Sequence, residues 1–213
     1  LEGGIVEEIL IKEGEKVQTN QPLVILSKAK ASSEYEEINT RLKSTELSIM
    51  RIKAEKNSLK SIPEEMIGSI FDKELVKFEN ELLMSRRNNL NSEQKTVKRN
   101  IKNLEKRYSL IKEQTLISEE LLLAEATNRF QHLELLRELS NIEGQLDEQK
   151  NKLETIQLNF SEQLNIEFSE FNKEKSELLK RITKYSDNLN RTVLKSPVSG
   201  VIKLISVNSK GAI

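Results

Sequence analysis

The chain has no cysteine and no tryptophan, and aromatic residues make up only 4% of its 213 positions. The missing thiols exclude disulfides, cysteine nucleophiles and cysteine-ligated metals, and they fit an oxidising compartment as well as a reducing one. So few aromatics, beside 32% charged residues, leave little material for a large compact core and point to long thin elements instead. Charge of one sign is absent as well. Lys plus Arg and Asp plus Glu both number 34, so no basic excess exists to neutralise phosphates, and nucleic acid is not an expected partner. No apolar run approaches the roughly 20 residues that span a bilayer, and no signal peptide is visible. Because the chain begins and ends inside a β pattern, it reads as a piece of a longer protein.

What is present is a small β pattern at each extremity. Gly4 to Ile11 (GIVEEILI) and Gly200 to Val207 (GVIKLISV) align, with Gly14 and Gly211 closing each run. Between them lies heptad spacing. Tyr35, Ile38, Leu42, Thr45, Ile49, Ile52 and Leu59 follow the alternating three-four spacing of a coiled-coil seam, which predicts a first helix over about 31–60. Pro63 and Gly68 in SIPEEMIGS break it. A second helix is predicted from about 70 to 113, with Phe71, Leu75, Phe78 and Leu82 on one stripe, then Val97, Ile101, Leu104, Tyr108 and Ile111. Ser118, followed by Glu119 and Glu120, reads as a helix cap with carboxylates in the first turn, so a third helix is expected over about 118–190. Leu139, Ile142, Leu146, Leu153, Ile156, Phe160, Phe171, Leu178, Ile182, Tyr185 and Leu189 form its seam, and Gly144 inside it costs only about 1 kcal/mol against Ala.

At about 1.5 Å per residue, the first two helices span roughly 45 and 65 Å and the third about 110 Å. Two ascending segments therefore balance one descending segment, with the apex near Gln114 and a tip over about 107–118. The hairpin returns the C-terminal β segment to the N-terminal one, and each supplies the other's sheet partner, since an isolated short β piece is marginal in water. The expected fold is mainly α with a small β module: an antiparallel coiled-coil hairpin over 30–192, one arm broken, inserted between β halves at 1–29 and 193–213.

The strand, the Glu-Gly-Glu-Lys-Val turn and QPLVIL resemble the first half of a biotinyl/lipoyl domain, and KSPVSGVIKLISVNSKG resembles the second half. A lipoyl-like domain split by a long helical hairpin resembles the membrane fusion proteins, or periplasmic adaptors, of the HlyD family. RYSLIKEQTLIS is similar to the adaptor tip pattern of Arg, three residues, Leu, six residues, Ser, falling here on Arg107, Ile111 and Ser118, with Ile in place of Leu. The broken arm and FENELLMSRRNNL look most like the type I secretion adaptors.

The resemblance implies the periplasmic part of a protein anchored in the inner membrane of a Gram-negative bacterium. It implies tip contact with a TolC-like outer-membrane channel, an inner-membrane ABC transporter as second partner, self-association into a ring (a hexamer in the family) and passage of a secreted protein cargo. Drug-efflux adaptors, a lipoyl or biotinyl carrier modified on Lys28, and a generic coiled-coil scaffold are the alternatives. Lys28 leads into the first helix instead of a tight β turn, which disfavours modification, and no cofactor is expected. His132 stands without a second ligand at metal spacing and reads as a solvated helix residue. The carboxylates are spread over helix surfaces as i, i+4 partners, with no catalytic dyad, so no enzyme is expected. Leu121 to Leu123, Leu135 and Leu136 lie off the seam and suit either lateral contacts or a wider internal stripe.

Overall fold

The structure, a computed structural model, describes residues 5–68, 70–205 and 211–212. Gly4, Ser206 and Val207 of the internal alignment lie outside the described residues. The strands are β1 (Ile5–Ile9), β2 (Lys16–Val17), β3 (Pro22–Leu26), β4 (Val193–Lys195), β5 (Gly200–Val201) and β6 (Gly211–Ala212). The helices are α1 (Ala29–Lys56), α2 (Glu64–Ile67), α3 (Lys73–Leu123) and α4 (Arg129–Arg191). They fall into two compact units, one comprising Leu1–Ser48 with Glu170–Ile213 and the other Ile49–Ser169.

In the first unit the two ends of the chain do pair. One antiparallel sheet has the order β4-β3-β1-β6 and a second ladder joins β2 to β5, so every C-terminal strand lies beside an N-terminal one. Val24 opposes Leu194, Ile25 opposes Val193 and Val17 opposes Gly200. Loop amides continue the ladders: Asn20 donates to Ser196, Ser196 to Gln21 and Leu26 to Thr192 at 2.8–2.9 Å. The expected Glu-Gly-Glu-Lys-Val turn forms, with Gly14 at φ 82°, a backbone setting that glycine reaches without a Cβ clash. Val6, Ile11 and Val17 are buried in this module. Lys28 passes directly into α1, its carbonyl accepting from Ser32. Ile38, Leu42 and Leu178 form a core with Ile182 and Tyr185 packed against it, matching the expected seam. Arg41 binds Glu174 at 2.7 Å and Lys175 binds Glu46 at 2.8 Å on its rim.

The second unit departs from the expected helix layout in three ways. First, α1 stops at Lys56, before Pro63. Ser58 adopts φ 56°, its amide bonding Glu55 and that of Leu59 bonding Ala54, the paired bonds that close a helix through a left-handed residue. Pro63 instead precedes the single turn α2. Second, α3 begins at Lys73, capped by the Asp72 carboxylate on the Glu74 amide at 2.7 Å, and it runs unbroken through the predicted apex to Leu123.

Third, the ascending helices are not end to end. The 28 residues of α1 and 51 of α3 together outnumber the 63 of α4, and the excess is taken up by lateral overlap. Arg51 on α1 meets Glu79 on α3 at 2.6 Å, and Glu55 meets Arg86 at 3.2 Å, so the two helices run side by side in the same direction. Glu167 of α4 reaches Arg86 at 2.9 Å and Arg51 at 3.7 Å, completing a three-helix segment. Helix α1 is therefore buried almost all round here, at Leu47, Ile49, Ile52 and Ala54. The same crowding shifts the expected stripe on α3: Glu79 and Leu83 are buried and Leu75 and Leu82 half-buried, while Phe78 is 60% exposed. Above this segment α3 and α4 continue as a two-helix hairpin sealed by Val97, Ile142 and Leu146.

Candidate functional site at the hairpin turn

The helical turn joining α3 to α4 lies at residues 124–128, beyond the predicted tip. Helix α3 is carried past Ser118 because nothing in TLISEELLL stops it. The Thr115 hydroxyl donates back to the Ile111 carbonyl at 2.8 Å, a bond made within a helix, and three successive leucines favour helix. Termination comes at Glu125, which takes φ 57°. Its amide bonds Leu122, and that of Ala126 bonds Leu121, again the paired bonds of a left-handed helix end. A glycine is the ordinary occupant of such a position, and its absence hid the turn from sequence reading. Asn128 then starts α4, its Oδ1 accepting from the Gln131 amide at 2.9 Å. Asn-Arg-Phe-Gln was the available signal: a capping residue with Gln three positions later.

Ser118 is therefore not a helix cap. It lies inside α3, 7% exposed. With Val97, Ile101, Leu104, Tyr108, Ile111 and Thr115 as the seam, Ile111 and Ser118 both occupy seam positions facing α4, and Arg107 flanks them. The three singled-out residues thus share one stripe of α3, instead of straddling the turn. The Arg107 side chain is 59% exposed, and its Nη2 lies 3.6 Å from Glu138 Oε1 on α4. Ile111 is half-buried.

Between the last turns of α3 and the first of α4 runs an open groove of about 1150 Å³ lined by Gln114, Ile117, Ser118, Leu121, Gln131 and Glu138, among others. Around it the end of the hairpin displays apolar side chains with no internal partner face: Leu123 is 83% exposed and Phe130 68%. The isolated His132 is not solvated as expected. It is half-buried, with Nδ1 enclosed and without a hydrogen-bond partner among the described residues.

Among the described residues no group of three or more His, Asp or Glu side chains is arranged to hold a metal, and no helix is long and apolar enough to cross a membrane. The turn region offers apolar surface and helix-end groups, which suits docking to another protein.

No family model matches the chain, and no curated protein matches it. Solved structures do. The periplasmic adaptor protein EmrA aligns over 99% of this chain and 66% of its own, at 16% identity and a TM-score of 0.48. The soluble domain of LipC, a membrane fusion protein of a type I secretion system, aligns over 99% of this chain and 92% of its own, at 20% identity and a TM-score of 0.65. The strand module closed by both chain ends and the helical hairpin between them are thus the fold of that membrane fusion protein's soluble domain.

Proposed function

We propose that this chain is the periplasmic adaptor portion of a type I secretion system, a member of the HlyD family that joins an inner-membrane ABC transporter to a TolC-like outer-membrane channel for protein export. The observation that carries the reading is the fold shared with the LipC soluble domain over nearly the whole of both chains. On this reading the paired strands at the two ends are a split lipoyl-like module that acts as scaffold, and copies assemble in a ring around the cargo path. The end of the hairpin docks to the channel.

Arg107, Ile111 and Ser118 serve that docking in different ways. Arg107, on the exposed flank of α3 about 17 residues and so roughly 25 Å before the turn, can turn its five donors to carbonyls of a channel helix end that reaches alongside the hairpin. Ile111 and Ser118 hold α3 against α4 behind it. Leu123 and Phe130 supply apolar contact at the turn itself.

The test is secretion by cells whose adaptor carries Arg107→Asp or Leu123→Asp. Both side chains are exposed, so helicity by circular dichroism should be unchanged while export falls at least tenfold. Normal export from a folded Leu123→Asp protein overturns docking through the hairpin end; normal export from Arg107→Asp alone removes Arg107 from the contact.

A further inference from the structure

The charges of the hairpin are sorted by arm. Residues 86–112 of α3 contain nine Lys or Arg against two Asp or Glu, whereas residues 134–167 of α4 contain eight Asp or Glu against three Lys or Arg. Pairing inside the hairpin accounts for little of this. Two ion pairs, Arg86–Glu167 and Arg107–Glu138, link these segments among the described residues.

The heptad positions explain why. On α3, with the seam fixed by Val97, Ile101, Leu104 and Tyr108, residues Lys95, Arg99, Lys102 and Lys106 fall on the face turned away from α4, and Lys98 beside it. On α4, with Leu146, Leu153 and Phe160 in the seam, Asp147, Glu148, Glu154 and Glu162 fall on the face turned away from α3. Lys150 and Lys152 flank the α4 seam instead. These eight side chains and Lys98 all belong to exposed residues, and none of them is in an ion pair among the described residues. The two faces also stand at one height, because Arg86–Glu167 and Arg107–Glu138 bracket both. Each face carries apolar side chains as well: Leu110 on α3 is 60% exposed, and Leu158 and Leu133 on α4 are 60% and 51% exposed.

We propose that these faces bind each other between copies: the basic outer face of α3 in one copy docks on the acidic outer face of α4 in the next, the copies standing parallel. Such a contact is heterologous, using two different patches, and so it propagates around a ring instead of stopping at a two-fold dimer. A two-fold contact through either face alone sets like charge against like and is disfavoured. Parallel copies bring the patches level, since both lie at one height in every copy. The proposal deepens the ring assembly in the adaptor reading and rests on it, but its test uses the 213-residue chain in solution, with neither channel nor transporter. Failure here with a positive secretion test rejects only this interface.

The native chain has no cysteine, so Lys102→Cys and Glu148→Cys variants each carry one thiol. Under mild oxidation the mixture should form a disulfide-linked pair at least about tenfold faster than either variant alone, and raising salt from 50 mM to 500 mM should suppress it, as screening of exposed charges requires. A charge-exchange experiment reads the same contact without thiols. Lys98→Glu/Arg99→Glu/Lys102→Glu and Asp147→Lys/Glu148→Lys/Glu154→Lys should each fail to self-associate in sedimentation, yet associate when mixed, since each then offers the face the other needs. Cross-linking of Lys102→Cys with itself as fast as with Glu148→Cys, or association unchanged by salt and by both reversals, overturns the proposal.

Discussion

Replacing Arg51 with Met tests the three-helix segment at its most consequential point. The Arg51 side chain is 4% exposed and holds Glu79 at 2.6 Å and Glu55 on its other side, those carboxylates being 7% and 2% exposed. Removing the guanidinium leaves two carboxylates in a low-dielectric setting. Glu55 retains Arg86 at 3.2 Å, whereas Glu79 loses the guanidinium at 2.6 Å. Breaking a buried pair from one side costs about 3–5 kcal/mol, mostly the penalty of keeping carboxylate charge buried without the guanidinium. The exposed Arg41–Glu174 pair, at 61% and 31% exposure, is the internal control, and Arg41→Met should cost under about 1 kcal/mol. Adding Glu79→Leu to Arg51→Met should recover about 2 kcal/mol, because one of the two buried carboxylates that Arg51 neutralised then disappears.

The loss should also be flat with pH on the alkaline side. Burial by itself pushes the Arg51 guanidinium down, but hydrogen bonds and charge from Glu55 and Glu79 outweigh that and hold it above the ordinary arginine value. A group raised on folding contributes its full stabilisation below its unfolded value and loses it only as pH climbs through the folded one. Between about pH 7 and about pH 10, Arg51 therefore stays charged in both states, and the cost of Arg51→Met is constant. Denaturant unfolding, with amide exchange at residues 49–56 and 74–86, reads these effects. A cost for Arg51→Met as small as for Arg41→Met, with unchanged exchange, refutes the packing of α1 against α3.

The helix ends give the remaining predictions. Asn128→Ala should lower stability by about 1 kcal/mol through loss of the bond to the Gln131 amide. Ser118→Ala should change it by no more than about 0.5 kcal/mol, because Ser118 lies inside α3. A larger loss for Ser118→Ala than for Asn128→Ala, by thermal circular dichroism, returns the helix start to 118. Glu125→Gly and Ser58→Gly should each stabilise by up to about 1 kcal/mol, since glycine takes the left-handed backbone without a Cβ penalty; a loss at either position in the same melts contradicts the assigned helix end.

The seams were legible in the sequence wherever two helices meet. Ile38, Leu42, Ile142, Leu146 and Leu178 are buried as their three-four spacing requires. The pattern misled where a third helix joins, because a helix packed on two sides buries residues off its stripe. Arg51, Glu55 and Glu79 are hidden polar groups that no hydrophobic period registers, and Phe78, on the expected stripe, is exposed. Pairing of the two terminal β segments followed from the hairpin alone and holds in the sheet order. Helix ends were the hardest to read. Both α1 and α3 close through non-glycine left-handed residues, Ser58 and Glu125, whereas Pro63 and Ser118 carried the expected signals without terminating or starting a long helix.

The central claim is that the hairpin end of this chain meets an outer-membrane channel, and site-specific photo-cross-linking in secreting cells tests it most directly. A photoreactive amino acid at Leu123, 83% exposed at the turn, should yield an adduct with the channel. One at Leu204, 73% exposed beside the strand module, should yield none. A channel adduct from Leu204 and none from Leu123, in cells that still export, contradicts the account.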